Sequence, residues 1–336
     1  MPPDQRLAAL LAWLRQVLGQ PLDGLEPASS DASFRRYFRA WRDGRSFIAM
    51  DAPPPREDLR TFLSVAALLR SVGLRTPEVY AADEENGFAL LSDFGTRRYL
   101  DCLDDQSAGQ LYGDALAALM KLQSGLDPAA SGLPGYGERL LWSELETFRE
   151  WFLGRWLGLE LEAREARLLD QTWRLLIESA LEQPRVCVHR DYHSRNLMVI
   201  GQGNPGVLDF QDAVVGPLTY DLVSLLRDCY VGWPAAWVDA WLDGYRTALR
   251  EAGLLDDRGV ERFRRWFDLM GMQRHLKAAG LFARLRLRDG KPGYLKDIPR
   301  TLRYVLEAGA GYASLAPFLD FLDRRVMPRL LEAGGR

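Results

Sequence analysis

His189-Arg190-Asp191-Tyr192-His193-Ser194-Arg195-Asn196 is followed, thirteen residues on, by Asp209. Before the stretch stands Val186-Cys187-Val188 and after it Leu197-Met198-Val199-Ile200, apolar runs too short for helices and rich in β-branched residues. The spacing therefore predicts a polar loop held between two strands. Gly201-Gln202-Gly203-Asn204-Pro205-Gly206 is a cluster of turn formers, and the chain returns through Val207-Leu208, so a hairpin brings Asp209 back beside Asn196.

An amide oxygen and a carboxylate converging beside a strand-anchored aspartate suit phosphoryl transfer, which needs positioned charge more than covalent chemistry. Magnesium takes hard oxygen ligands and is usually held by one or two carboxylates together with the nucleotide's phosphates, so Asn196 and Asp209 are the candidate metal ligands. Asp191 is the candidate base, accepting a hydrogen bond from a substrate hydroxyl and orienting it for in-line attack. The bland alternative is a buried polar turn with Asp209 capping a loop. The full H-x-D-x-x-x-x-N spacing, followed by a strand-borne Asp-Phe, favours the catalytic loop.

The whole chain has 336 residues, 47% of them hydrophobic, enough for a large core divided between two lobes. A net charge of -3 with interspersed acids and bases argues against a nucleic-acid partner. Cys102, Cys187 and Cys229 are far apart and show no C-x-x-C, which indicates neither a disulfide framework nor a zinc site. The N-terminus lacks the features of a signal peptide and no segment offers eighteen uncharged apolar residues, so the expectation is a cytoplasmic monomer without membrane partners.

Residues 7–18 place Leu7, Leu10, Leu11, Leu14 and Leu18 on one helical face. A Pro/Gly-containing turn follows, then Ser29-Ser30-Asp31-Ala32-Ser33 and a strand from Phe34 to Trp41. Asp43-Gly44 signals a hairpin, returning through residues 46–50. The polar lip at 29–33 could cover nucleotide phosphates with N–H groups and hydroxyls, although it contains no Gly and such clusters are more often plain turns. A helix starts near Glu57, and strands near Val79-Tyr80 and Phe88–Leu91 complete a small antiparallel sheet. Ser92-Asp93-Phe94-Gly95 reads as the crossing into a larger, mostly helical part, giving an α+β chain with lobes at 1–93 and 94–336. Stripes of apolar residues predict helices over 107–123, 138–157, 162–182, 218–230, 234–252, 260–287, 297–310 and 316–333. Trp142, Trp151, Trp156 and Trp173 read as core rather than as a sugar platform.

The motifs D-A-S-F-R-R-Y, M-D-A-P-P, H-R-D-Y-x-x-R-N, V-L-D-F-Q-D-A, G-P-x-x-Y-D-L-x-S-L-L-R-D and Q-R-H-L-K…F-A-R-L…R-D-G-K-P together resemble the aminoglycoside-phosphotransferase-like kinases from about residue 28 to 305. The last two blocks resemble its bacterial branch of anomeric kinases for cell-wall amino sugars. The resemblance implies a protein-kinase-like two-lobed fold with a small antiparallel-sheet N-lobe and a large helical C-lobe. It also implies ATP with Mg2+, and transfer of the γ-phosphoryl group to the C1 hydroxyl of N-acetylmuramate or N-acetylglucosamine, feeding peptidoglycan recycling. By matching motif, Asp191 resembles the catalytic aspartate and Asn196 and Asp209 the metal ligands. Residues 29–38, with Ser29, Ser30, Asp31, Ser33, Arg35 and Arg36, resemble the phosphate-covering loop and strand, and Leu91, Ser92 and Asp93 the adenine-edge crossing. Asp221 resembles a brace for the catalytic loop, while Gln211, Asp212, Tyr192 and His193 are candidates to face the sugar.

One departure stands out: the kinase pattern puts a Lys on the third strand, but the first Lys of this chain is Lys121 and the expected position reads Ala49-Met50-Asp51. Arg35 or Arg36 could supply the cation instead. The lactyl carboxylate of a muramate calls for a basic partner; Arg274, His275, Arg284 and Arg286 are candidates, against the alternative of a solvated helix face. Two other readings compete. An aminoglycoside- or choline-type kinase would gather acids for a cationic substrate, and only Asp101, Asp104 and Asp105 cluster so. A nucleotide-binding pseudokinase would explain the missing Lys but not the retention of Asp191, Asn196 and Asp209 together.

Overall fold

The computed structural model describes residues 3–29 and 34–334. The chain divides into two compact units, residues 1–115 with 196–211 and residues 116–195 with 212–336.

The first unit is built on a five-stranded antiparallel sheet of order β1-β2-β3-β5-β4, with β1 Gly24–Ser29, β2 Arg36–Arg42, β3 Arg45–Asp51, β4 Val79–Asp83 and β5 Phe88–Ser92. Asp43 and Gly44 both take positive φ, 50° and 72°, which closes the β2–β3 hairpin with the twist the strands need. The turn expected before residue 29 is instead mostly strand. β1 pairs with β2 at the sheet edge, where Pro27 is tolerated because an edge strand can spare a donor. The amphipathic helix α1 (Pro3–Leu18) buries Leu10 and Leu14 against Phe38, Ala49, Phe88 and Leu90 of the sheet. Helix α2 (Leu59–Ser71) is capped by Asp58, whose carboxylate accepts from the Arg60 N–H at 3.0 Å.

To this unit belongs the expected hairpin, β7 (Leu197–Met198) with β8 (Gly206–Val207). It is tied down at both arms, by Val207 N–H to the Arg75 carbonyl (2.7 Å) and Val199 N–H to that of Arg97 (2.8 Å). The Asn204 amide at its tip donates to the Tyr99 hydroxyl (2.7 Å) and to Asp114 (2.8 Å). Phe210, just beyond, lies on Phe62 of α2 with ring centroids 4.9 Å apart.

The second unit is helical around α9 (Asp257–Asp289), a single helix of 33 residues. It starts at the Asp256 cap and ends at Gly290 in the left-handed region, φ 67°. Against it lie α5 (Glu138–Thr147), which continues into a π-helical segment over Phe148–Trp156, and α6 (Ala163–Leu181), α7 (Tyr220–Leu226), α8 (Ala235–Glu251) and α10 (Ile298–Gly309). The approach to α5 is backbone to backbone: a Cβ on Gly280 would sit 2.5 Å from the Phe148 nitrogen and 2.6 Å from the Thr147 carbonyl. Of the four tryptophans expected in the core, Trp173 is fully buried and Trp142, Trp151 and Trp156 are half-buried. A two-stranded ladder, β6 (Arg185–Val188) antiparallel to β9 (Val214–Pro217), delivers the chain to His189.

Candidate active site

The loop after β6 turns through Arg190 at φ 76°, a left-handed conformation that a non-glycine residue adopts only when its surroundings enforce it. Asp221 supplies the enforcement. Fully buried in α7, its carboxylate accepts the N–H groups of His189 (2.6 Å) and Arg190 (2.9 Å). Burial pushes this carboxyl up to about 7, against the two N–H donors that favour its charged form. The Arg190 guanidinium then reaches Glu144 at 2.7 Å.

Asp191 is positioned by this strained turn, and its N–H donates to His189 Nδ1 (3.2 Å). Burial alone would raise its carboxyl; the positive field of Lys277, with His193, Arg190 and His189, outweighs it and holds the group below the usual carboxylate range. Lys277 in turn is fixed by Glu144 (2.9 Å) and the Tyr220 hydroxyl (3.0 Å). Glu144 is the hub: it also takes hydrogen bonds from Tyr136 and from Gln273 (3.1 Å), and these cations keep it ionised despite burial. Neither Glu144 nor Lys277 was assigned a role from the sequence. They lie 133 residues apart on helices whose apolar stripes give no sign of a polar face turned inward.

In the first unit, the two arms of the hairpin present Asn196 and Asp209. The Leu208 N–H donates to the Asn196 carbonyl (2.9 Å), which leaves the Asn196 amide nitrogen 3.4 Å from Asp209 Oδ2. Asp209, like Arg190, is a non-glycine residue in the left-handed region, φ 60°. Its Oδ1 accepts from the Gln211 amide at 2.7 Å. Gln211 thus steadies Asp209 through its amide nitrogen, while its amide oxygen has no hydrogen-bond partner among the described residues. The donor set fits magnesium, an amide oxygen and a carboxylate with room in the shell left to phosphates and water.

The remaining expectations divide. Ser30, Asp31 and Ser33 lie outside the described residues, as does the side chain of Ser29, whose backbone ends β1. Arg35 pairs with Glu57 (2.7 Å), while Arg36 donates through Nε to the fully buried Asp51 (2.9 Å), which Arg6 of α1 engages from its other oxygen. The third-strand acid is therefore neutralised by two arginines. Leu91 and Ser92 belong to β5; the Ser92 hydroxyl accepts from Glu78 N–H (2.8 Å), and Asp93 is clasped by Arg39 (2.6 and 3.1 Å), so these two side chains are occupied within the protein. Tyr192 is fully buried against His189, whereas Asp212 is exposed. Arg274 and His275 are buried as well, 6% and 0% exposed, so they form no solvated face; Arg286 does lie at the surface. His193 is buried, and burial holds its imidazole below its ordinary value against the pull of Asp228 and Asp191.

The profile of the phosphotransferase enzyme family matches residues 24–264. This chain belongs to that family. Its loop, hairpin and sheet lie within the matched span. Over 333 residues it is 48% identical to the N-acetylmuramate/N-acetylglucosamine kinase of Pseudomonas aeruginosa, covering 96% of this chain and 97% of that protein. It is 41% identical over 335 residues to the protein of the same name from Neisseria meningitidis, covering 98% and 99%. Among solved structures it resembles the choline kinase LicA of Streptococcus pneumoniae, with a TM-score of 0.64 at 13% identity, covering 92% of this chain and all of that one. The ADP-bound aminoglycoside phosphotransferase APH(2'')-Ib gives 0.59 at 15% identity, covering 90% and 98%. These structures establish the protein-kinase-like fold, and with it the α+β reading.

Proposed function

We infer that this chain is an ATP-dependent sugar kinase that phosphorylates the C1 hydroxyl of N-acetylmuramate and N-acetylglucosamine, in support of peptidoglycan recycling. The observation that carries the chemistry is Asp191: a half-buried carboxylate kept ionised by Lys277 and Arg190 on a loop whose geometry Asp221 enforces. Asp191 accepts a hydrogen bond from the C1 hydroxyl and turns its oxygen toward the γ-phosphorus. As the O–P bond forms and the bond to the β-phosphate oxygen breaks, the hydroxyl proton passes to Asp191, and ADP leaves. An anomeric hydroxyl is more acidic than an ordinary alcohol, so a carboxylate of low basicity suffices. Asn196 and Asp209 are the residues that would hold magnesium, which when bound neutralises charge on the transferring phosphates. Backbone groups at Leu91 to Asp93 take the adenine edge, and Arg35 takes the phosphates. The lobes of the reaction are 1–93 and 94–336.

No helix among the described residues is long and apolar enough to cross a membrane. A cytoplasmic monomer fits the role. The test is ADP release from ATP and Mg2+ across N-acetylmuramate, N-acetylglucosamine, galactose, kanamycin and choline, with phosphorus NMR on products and Asp191→Asn as the control. A C1 phosphate formed from the acetylated amino sugars and lost in the control is expected. Turnover confined to kanamycin or choline overturns the acceptor; silence throughout, with ATP still bound, overturns the kinase.

A further inference from the structure

Four residues beyond Asp191, in the same loop, Arg195 is held in an unusual way. Its guanidinium carbon lies 4.4 Å from the ring centre of Tyr230 and 5.0 Å from that of Tyr294. Phe282 of α9 backs both rings, stacked on Tyr294 at 5.5 Å and tilted to Tyr230 at 6.2 Å, and His193 meets Tyr230 edge-on at 5.3 Å. The planar cation thus lies over two aromatic rings, which restrict the direction of its N–H fork.

What the fork lacks is an anion. Among the described residues no carboxylate stands within ion-pair distance of Arg195; its hydrogen bond goes to the Tyr230 side chain, and Asp297 acts on it only through its field. Asp228, the other acid near by, is already committed, accepting Ser194 N–H (2.9 Å) and Tyr230 N–H (2.8 Å). Arg195 is half-buried, so the residue keeps contact with solvent. Two further polar atoms of the same cluster are buried with no hydrogen-bond partner, His193 Nδ1 and Arg274 Nε, and their residues are only 8% and 6% exposed. Arg274 itself has Cys229 Sγ (3.6 Å) as hydrogen-bond partner. A loop that carries the base, a flat guanidinium without a carboxylate partner and a buried imidazole with an unsatisfied ring nitrogen has the make-up of a preorganised anion receptor.

We propose that Arg195, held against the Tyr230 and Tyr294 rings, is the receptor for the lactyl carboxylate of N-acetylmuramate, and so sets the preference between the two acceptor sugars. The assignment rests on the kinase reading above. It gives the fork its missing partner, and the aromatic walls suit the apolar face of the lactyl group. N-acetylglucosamine, which has a hydroxyl in place of the lactyl ether, gains nothing from Arg195.

The test compares wild type, Arg195→Lys and Arg195→Met, in the full chain, on N-acetylmuramate, on its lactyl amide and on N-acetylglucosamine. A charge-assisted bidentate contact predicts that the N-acetylmuramate to N-acetylglucosamine ratio of kcat/KM falls roughly 10- to 100-fold in Arg195→Met, chiefly through KM, and less in Arg195→Lys. The lactyl amide should show that deficit with wild type and no further deficit with the variant. An unchanged ratio, an equal loss on both sugars, or a loss confined to the KM for ATP overturns the proposal. Wild type inactive on both sugars overturns the kinase reading and this assignment with it.

Discussion

Replacing Glu144 by Gln removes the carboxylate that both Arg190 and Lys277 ion-pair with while keeping the shape of the side chain. All three groups are largely buried, with side-chain exposures of 9% for Glu144, 19% for Arg190 and 18% for Lys277, so water cannot take over the lost partner. Breaking a buried pair from one side costs roughly 3–5 kcal/mol, because the remaining charge is left uncompensated. With unfolding entropy near 2.1 cal/mol/K per residue, a chain of 336 residues changes by about 0.7 kcal/mol/K at its midpoint, so the expected fall in Tm is about 4–7 °C. The reaction should suffer too. Lys277, released from Glu144, turns its field on Asp191 and weakens it as a base, so kcat falls more than the KM for either substrate rises. Thermal and urea unfolding measure the first effect, and steady-state kinetics the second. The decisive comparison is a cycle with Lys277→Met, in which the double variant removes both partners and should recover at least about 1 kcal/mol relative to the sum of the single changes. Additive losses would show that Glu144 and Lys277 are independent and that the hub is an accident of packing.

Three other expectations follow from the same geometry. His275 is buried with Nε2 against the Arg227 carbonyl (2.8 Å), and burial beside Arg274 depresses its imidazole from 6.5 to about 3. The folded state therefore binds fewer protons than the unfolded one between those values. Its contribution, up to roughly 4–5 kcal/mol, is present above pH 6.5 and is lost as pH falls toward 3; His275→Gln should flatten that limb of the stability profile. Gly280→Ala forces a methyl into the α5 backbone and should cost about 1–3 kcal/mol or more by thermal melting, despite alanine's better helix propensity. Arg35→Ala should raise the KM for ATP about tenfold, whereas Arg36→Ala, which strips one partner from buried Asp51, should chiefly lower Tm.

What the sequence disclosed and what it hid follow a single physical line. The catalytic hairpin was legible because its parts are contiguous: two short apolar runs, a turn cluster and the acids at fixed offsets are all local signals. The same holds for α1, whose five leucines mark one face, and for Asp43-Gly44. The first strand was hidden because Pro27 reads as a break, and only pairing with β2 at an edge makes it a strand. The electrostatic setting of Asp191 was hidden for a different reason. Glu144, Tyr136, Gln273 and Lys277 come together through tertiary packing, and a polar residue on a helix looks the same in sequence whether it faces water or a buried partner. Arg274 and His275 show the cost of that ambiguity, since the reading of a solvated face fails once α9 is seen to be enclosed by other helices.

The close crossing at Gly280 lies on the same helix as Gln273 and Lys277, less than two turns away, and this fixes a phase. Each residue added to or removed from an α-helix rotates everything beyond it by about 100° and advances it by about 1.5 Å. One insertion between Lys277 and Gly280 would either swing Lys277 away from Glu144 or drive a side chain into α5, and no local adjustment could satisfy both. The segment from Gln273 to Gly280 therefore behaves as a ruler of fixed count. Point substitutions along it can be absorbed at a cost, but length cannot change there, so any drift in chain length within this protein's lineage should fall in the connections outside α9.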